Sequence, residues 1–185
     1  MSDAAYELFN QHGVRAVGVD SIVQHAGTAK MTLYRHFQSK DDLILDYLRR
    51  RERLWTEDWL KAESIRRGNT PQDRLLAIFD VFGEWFITPD FEGCPFLTTM
   101  IEVSDPASPI HQASVQHLAN IRVYLQELAA EIGIGDTDGF ARQWHLLMKG
   151  SIMAAHEGDV HAAARARRLG ELLLADHGVH RSPVS

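Results

Sequence analysis

The chain has 185 residues, of which 45% are hydrophobic and 24% charged, with a formal net charge of −6. These proportions are ordinary for a globular protein of one or two domains. A single cysteine excludes an internal disulfide framework, and the sequence shows neither an apolar run long enough to cross a bilayer nor a basic-then-apolar leader. We therefore expect a soluble, cytoplasmic protein.

A first helix is predicted over residues 3–12, where Ala5, Leu8 and Phe9 lie on one stripe and Gly13 follows. A second apolar stripe runs at helical spacing from Val19 to Ala26.

Gly27 follows that stripe, at the point where a residue without a Cβ can end a helix in the left-handed conformation. A third short helix is predicted over Lys30–His36. Two helices joined this tightly form a helix-turn-helix, whose second helix can enter the DNA major groove.

The charge of this stretch favours the same interpretation. Thr28–Lys40 contains Lys30, Arg35 and Lys40 and no acid, so it carries +3 and leaves −9 on the remaining residues. A chain of net negative charge has to present positive charge locally to bind DNA. The alternative is an ordinary solvated helix face.

The residues from Gly13 to Leu43, and most specifically the run LYRHFQSKDDL from Leu33, resemble the DNA-binding domain of TetR-type (tetracycline-repressor-like) regulators. The resemblance implies a ligand-responsive one-component transcriptional regulator, most often a repressor, that binds a palindromic operator as a homodimer and needs no cofactor. Family members often carry a basic arm before the first helix. Here Met1 and Ser2 stand directly before it, so DNA contacts from such an arm are not expected.

Within this resemblance, Tyr34 and Lys40 match positions that usually bind phosphate. Lys30, Met31 and His36 are the expected sequence readers, since lysine donates to guanine and methyl-bearing side chains contact thymine. The residues expected to face DNA are Ala29, Lys30, Met31, Thr32, Tyr34, Arg35, His36 and Lys40.

Ser39 and Asp42 form a predicted capping box that opens a long helix reaching about Arg67. The predicted fold is all-α: a three-helix DNA-binding head, residues 1–45, joined by this helix to a helical ligand-binding and dimerisation body, residues 46–185. Thr70 as N-cap and Pro71 at the first helical position predict the start of the next helix, over residues 71–86. Further helices are predicted over residues 96–103, 109–132, 138–156 and 160–176.

Aromatic and methionine side chains of the body are candidates for lining a cavity for a small apolar or amphipathic effector. The alternative is that they form only the core, as such residues at helical spacing usually do. His117, together with His145, offers a polar group. The candidate ligand residues are Trp59, Phe82, Trp85, Phe86, Phe96, Met100, His117, Tyr124, Trp144 and Met148.

The last two helices suit a contact between two copies of the chain, since one of them is rich in small residues, and the TetR resemblance places the dimer interface there. The alternative is that both helices pack only within their own subunit. The candidate dimer residues are Phe140, Leu147, Ser151, Ala154, Ala155, Ala162, Ala166, Leu169 and Leu173.

The sequence offers two alternative functions. A helical small-molecule-binding protein or enzyme without DNA binding lacks support, because the sequence has no nucleophile elbow, phosphate loop, paired carboxylates or metal-ligand spacing. A thiol sensor would use Cys94, but no cation lies within several residues of it and Glu92 disfavours the thiolate. The pairs His156/His161 and His177/His180 do not predict a metal site.

Overall fold

The structure is a computed structural model that describes residues 1–89 and 91–179, and in those residues it contains helices and no strand. The all-α prediction is confirmed. The helices are α1 (Ser2–His12), α2 (Val19–His25), α3 (Lys30–His36), α4 (Lys40–Arg51), a π-helical segment (Glu52–Lys61), α5 (Ala62–Arg67), α6 (Pro71–Trp85), α7 (Pro95–Glu102), α8 (Pro109–Ile132), α9 (Thr137–His156) and α10 (Ala162–Asp176).

Side-chain caps explain where several helices begin. At α4 the backbone N–H of Asp42 donates to Ser39 Oγ at 3.1 Å, and the Ser39 N–H donates back to the Asp42 carboxylate at 3.0 Å. At α6 Thr70 Oγ1 accepts from the backbone N–H of Asp73 at 3.2 Å. Both starts were predicted from sequence. The cap of α9, Asp136 accepting from the Gly139 N–H at 2.9 Å, was not.

The long helix predicted from Lys40 to about Arg67 is present as one continuous helical stretch, but its middle is not α-helical. The segment Glu52–Lys61 is π-helical, with hydrogen bonds between residues five apart. The wider turn changes which side chains share a face of the helix. Within this segment Trp55 is buried and Trp59 half-buried.

The chain divides into two compact units, and the first contains residues 1–55 and 94–119. Phe9, Ile22, Leu33 and Leu48 are 2% exposed or less and form the centre of its N-terminal part. α1 packs along α4, where the Tyr47 hydroxyl donates to Asn10 at 3.1 Å. This packing supports the helix-turn-helix from behind.

The second unit contains residues 56–93 and the chain from Asn120 onward. Its core joins α6, α9 and α10, with the Phe79 and Trp144 rings 5.4 Å apart. Gly170 of α10 makes this packing possible, since a Cβ there would lie 2.8 Å from Trp144 Cη2.

These units differ from the division expected at residue 45, because residues 94–119 group with the N-terminal helices. The functional boundary at residue 45 stays a prediction. No helix in residues 1–89 and 91–179 combines the length and the apolar character needed to span a membrane.

Candidate nucleic-acid interface

The helix-turn-helix is held together by two apolar side chains, one from each helix. Ile22 of α2 and Leu33 of α3 are both fully buried. Phe37, directly after α3, is half-buried. With Leu33 fixed on the inner side, the opposite side of α3 is turned outward.

The turn between the two helices depends on Gly27, which has a φ of +60°. Its N–H donates to the Gln24 carbonyl at 3.1 Å, and the Thr28 N–H donates to the Val23 carbonyl at 3.2 Å. A Cβ at Gly27 would meet nothing within 4 Å. Glycine is therefore favoured here by its backbone conformation and not by lack of space.

The outward side of α3 carries the side chains that the sequence predicted to face DNA. Met31 is 71% exposed and Tyr34 47% exposed. Thr32 and Lys40 are half-buried, and the exposed members of the set are Ala29, Lys30, Met31, Tyr34, Arg35 and His36. All eight lie within residues 29–40: Ala29 directly precedes α3, and Lys40 is the first residue of α4.

Lys30 has a partner that the sequence analysis did not identify. Its Nζ lies 2.7 Å from Oδ1 of Asp20, in the first turn of α2. The hydrogen bond and the charge of this carboxylate raise the pKa of Lys30. No periodicity predicts a contact across ten residues and a turn, and only the packing of α2 against α3 reveals it.

Lys40 is the first residue of α4, directly after the Ser39 cap, and the first turn also carries Asp41 and Asp42. Burial lowers the pKa of Lys40, while Asp41 and Glu102 act in the opposite direction. A helix N-terminus combined with a cation is a suitable phosphate grip.

Glu102, at the end of α7, is a second residue that sequence reasoning missed. Its Oε2 accepts from the backbone N–H of Arg15 at 2.9 Å, in the loop between α1 and α2. Gly13 has a φ of +78°, and the Glu102 carboxylate occupies the space that a Cβ there would need. The loop that precedes α2 is thus held by α7.

The candidate ligand residues fall in both units. In the second unit, neighbouring rings of Trp59, Phe82, Trp85, Phe86 and Phe91 have centroids 4.9 to 5.7 Å apart. We call these five rings the aromatic cluster. Four of them were predicted as ligand residues, and in this structure they contact one another.

Other candidates of the second unit belong to its core. The Tyr124 hydroxyl lies 2.6 Å from Ser64 Oγ, and Met148 is 2% exposed. Nε1 of Trp144 and Nδ1 of His145 are buried without a hydrogen-bond partner in the described part of the chain. Burial, followed by the charges of Lys149 and Arg122, lowers the pKa of His145 to about 3, so its ring is neutral.

The remaining three candidates lie in the first unit. Phe96 is fully buried and Met100 half-buried. His117 stacks on Phe96 with centroids 5.1 Å apart, and its Nδ1 lies 2.7 Å from Oε2 of Glu52. The polar group expected of His117 is therefore already engaged within the chain.

Burial changes the set of side chains that are available to a second copy of the chain. Phe140, Ser151, Ala162 and Ala166 are buried within the single chain, because they face the contact between α9 and its neighbours. Leu147, Ala154, Ala155 and Leu173 are half-buried. The exposed large apolar residues of these two helices are Leu146, Met153, Leu169 and Leu172.

The thiol and histidine candidates show no reactive or metal-binding arrangement. Cys94 is 6% exposed, at the N-cap of α7, which limits access of oxidants and electrophiles. His156 stacks on Phe91 at 4.8 Å, and His177 meets Phe140 at 5.3 Å. Within the described residues no three His, Cys, Asp or Glu side chains are grouped to hold a metal ion. His180 lies outside them.

Comparison with protein families gives two matches. The model described as bacterial regulatory proteins, tetR family, matches residues 2–47. The model described as tetracyclin repressor-like, C-terminal domain, matches residues 71–169. The first covers α1–α3 with the start of α4, and the second covers more than half of the chain.

Individual proteins agree with these matches. The chain is 22% identical over 148 residues to the HTH-type transcriptional regulator YjdC of Escherichia coli, which covers 80% of this chain and 77% of that protein. A TetR-family transcriptional regulator from Streptomyces coelicolor superposes with a TM-score of 0.83 at 30% identity, covering 95% and 92% of the two chains. FadR of Bacillus subtilis, in complex with stearoyl-CoA, shares the fold with a TM-score of 0.70 at 18% identity, covering 97% of each chain.

Proposed function

Because this chain belongs to the TetR family of bacterial regulatory proteins and is a helix-turn-helix transcriptional regulator, we propose that it acts as a ligand-responsive repressor. It binds a palindromic operator as a homodimer. Its place of action is the cytoplasm, which contains the bacterial chromosome. Regulators of this family act by binding DNA rather than by catalysis. The observation that carries the proposal is the outward side of α3, which is polar and basic while Leu33 anchors its inner side.

The exposed residues divide into two roles. Tyr34 and Lys40 bind phosphate and set the position of the head on the duplex, because an N-terminal helix turn and a hydroxyl donor suit an anion. Lys30 and Met31, in the first turn of α3, reach base edges, since the N-terminal part of a recognition helix contacts the bases. His36, the last residue of α3, is the third proposed sequence reader, because its exposed ring can donate to or accept from a base edge.

The homodimer is proposed to form through the exposed apolar residues of α9 and α10. Two heads then reach successive major grooves about 34–36 Å apart. Light scattering tests this contact with Leu169→Glu/Leu172→Glu, which should yield monomers. Ile65→Glu, at an apolar residue of α5 that is equally exposed, is the matched control and should remain dimeric. A dimeric double variant would place the interface elsewhere.

The effector is proposed to be a small apolar or amphipathic molecule that binds in the body. Trp59 and Trp85 of the aromatic cluster are half-buried. Nε1 of Trp144 and Nδ1 of His145, which have no hydrogen-bond partner among the described residues, can bond a polar group of a ligand that opens the core. The effector has to bind the two states of the protein unequally, or it changes nothing. Stearoyl-CoA, the ligand of the related FadR structure, is a first probe.

Tryptophan fluorescence during titration with stearoyl-CoA and a panel of apolar compounds tests the effector proposal. Binding should change the emission in the wild type and change it less in Trp85→Phe. Compounds that bind with the same response in both proteins would place the effector away from the aromatic cluster.

The DNA proposal is tested by fluorescence anisotropy with the promoter fragment beside the protein's own gene. Tyr34→Phe and Lys40→Ala should each weaken binding, because each removes one phosphate contact. Arg66→Ala removes an exposed cation of α5, outside the helix-turn-helix, and should leave binding unchanged. Equal losses in all three variants would mean that the head is not the DNA-binding element.

A further inference from the structure

The contact between Asp20 and Lys30 joins the two helices of the helix-turn-helix on their exposed side. Lys30 is the first residue of α3, and Asp20 lies in the first turn of α2. Their side chains are 52% and 82% exposed, with Nζ and Oδ1 2.7 Å apart. The Lys30 ammonium and the Asp20 carboxylate are therefore accessible to a molecule that binds the helix-turn-helix.

An acid at this place is unfavourable for binding DNA as such. In a helix-turn-helix the first helix crosses the phosphate backbone and the N-terminus of the second enters the groove. A carboxylate on α2 therefore meets phosphate charge of the same sign, and it neutralises Lys30 as well. The other cations of α3 and its C-terminal flank are Arg35 and Lys40.

We propose that Asp20 is a specificity-determining residue of the head, which holds the Lys30 ammonium away from the phosphate backbone and releases it to a base edge. The inference rests on the proposed function, in which α3 binds operator DNA. An exposed ion pair is weak, so releasing Lys30 costs little. The difference in affinity between operator and unrelated DNA is then set by the contacts that the released Lys30 makes on each.

On unrelated DNA, a released Lys30 gains one phosphate contact and leaves the Asp20 carboxylate bare beside other phosphates, so little is gained. On an operator with guanine at the right position, Lys30 donates to O6 and N7, an interaction that discriminates against the wrong base roughly 5- to 150-fold. Asp20 thus lowers the affinity of the head for all DNA. The loss is largest on DNA that has no guanine acceptor within reach of Lys30.

The test compares Asp20→Asn with the wild type on the operator fragment and on a scrambled fragment of equal length, over a salt series. Asparagine keeps the size of the side chain and removes its charge. Glu57→Gln is the matched control, because Glu57 holds Lys61 with the same 2.7 Å distance on a helix outside the head. Thermal unfolding of each variant checks that the fold is kept.

For Asp20→Asn we expect affinity for scrambled DNA to rise about eightfold per head at 0.1 M salt. The slope of log K against log salt should steepen by about 0.9 per head, as for one added phosphate contact. Operator affinity should rise less, so the specificity ratio falls. In a Lys30→Met background both changes should be smaller, because the substitution then removes only the direct repulsion between Asp20 and phosphate and frees no ammonium group.

Equal gains on both fragments, an undiminished gain in the Lys30→Met background, or the same gain in Glu57→Gln would overturn the inference. The two proposals fail separately. If no fragment is preferred by the wild type, the proposed function fails. If scrambled-DNA affinity does not respond to Asp20→Asn, the inference fails while the proposed function stands.

Discussion

Protonation of His145 should destabilise the fold as the pH falls. The ring is 2% exposed and its pKa is lowered to about 3, chiefly by burial and then by Lys149 and Arg122. In the unfolded chain a histidine titrates near 6.5. Between these two values the unfolded state binds the additional proton, so stability is complete above pH 6.5 and is lost progressively on the way down to 3. At pH 5 the loss relative to pH 7.5 is about 2 kcal/mol.

The assay is urea unfolding at fixed protein concentration between pH 7.5 and 5, for the wild type and His145→Leu. Leucine removes the titrating nitrogen at similar volume, so the variant should lose about 2 kcal/mol less than the wild type over this range. His161→Gln, at an exposed histidine, controls for the removal of any histidine and should follow the wild type. Parallel losses in all three proteins would refute the argument.

Three substitutions test the packing. Gly27→Ala should cost about 1 kcal/mol in thermal unfolding, because alanine has to adopt a φ of +60° although no atom obstructs it. An unchanged stability would mean that the backbone of the turn adopts a conformation in which residue 27 no longer needs a positive φ. Gly170→Ala places a Cβ 2.8 Å from Trp144 and should cost about 1–3 kcal/mol; a stabilised variant would disprove this close contact. Tyr124→Phe should cost about 1 kcal/mol, and less than Ser64→Ala, because Ser64 keeps its 2.9 Å bond to a backbone carbonyl. The reverse order would contradict the assigned bond.

The predictions that succeeded depend on local signals. The capping box at Ser39, the Thr70 cap before Pro71 and the apolar stripe ending at Gly27 each act within four or five residues. α3 begins and ends where it was predicted, at Lys30 and His36. The TetR resemblance depended on the same short stretch, which the family match over residues 2–47 contains.

The features that were missed depend on distances that no local pattern reports. Asp20 meets Lys30 across a turn, and Glu102 meets Arg15 across 87 positions of sequence. The π-helical winding after Arg51 follows no proline or glycine. Periodicity identified apolar residues of α9 and α10 but not which of them a neighbouring helix covers.

For the candidate DNA interface, the sequence pointed to the residues on α3. It did not reveal the ion pair that Lys30 forms with Asp20. It predicted a group of body aromatics without the ring contacts that join them. The DNA, ligand and dimer assignments all stay predictions. They depend on a second molecule, whose position follows from surface shape and not from a pattern in one chain.

The central claim is that two copies of this chain place two α3 helices in successive major grooves of one palindromic site. Hydroxyl-radical footprinting of the promoter fragment beside its own gene tests this most directly. For the proposed homodimer we expect two protected half-sites with centres about 10–10.5 base pairs apart, or a multiple of that spacing. Both should be lost together in Tyr34→Phe/Lys40→Ala. Protection of a single half-site would contradict binding as a homodimer. A footprint unchanged in that variant would contradict binding through α3 and the start of α4.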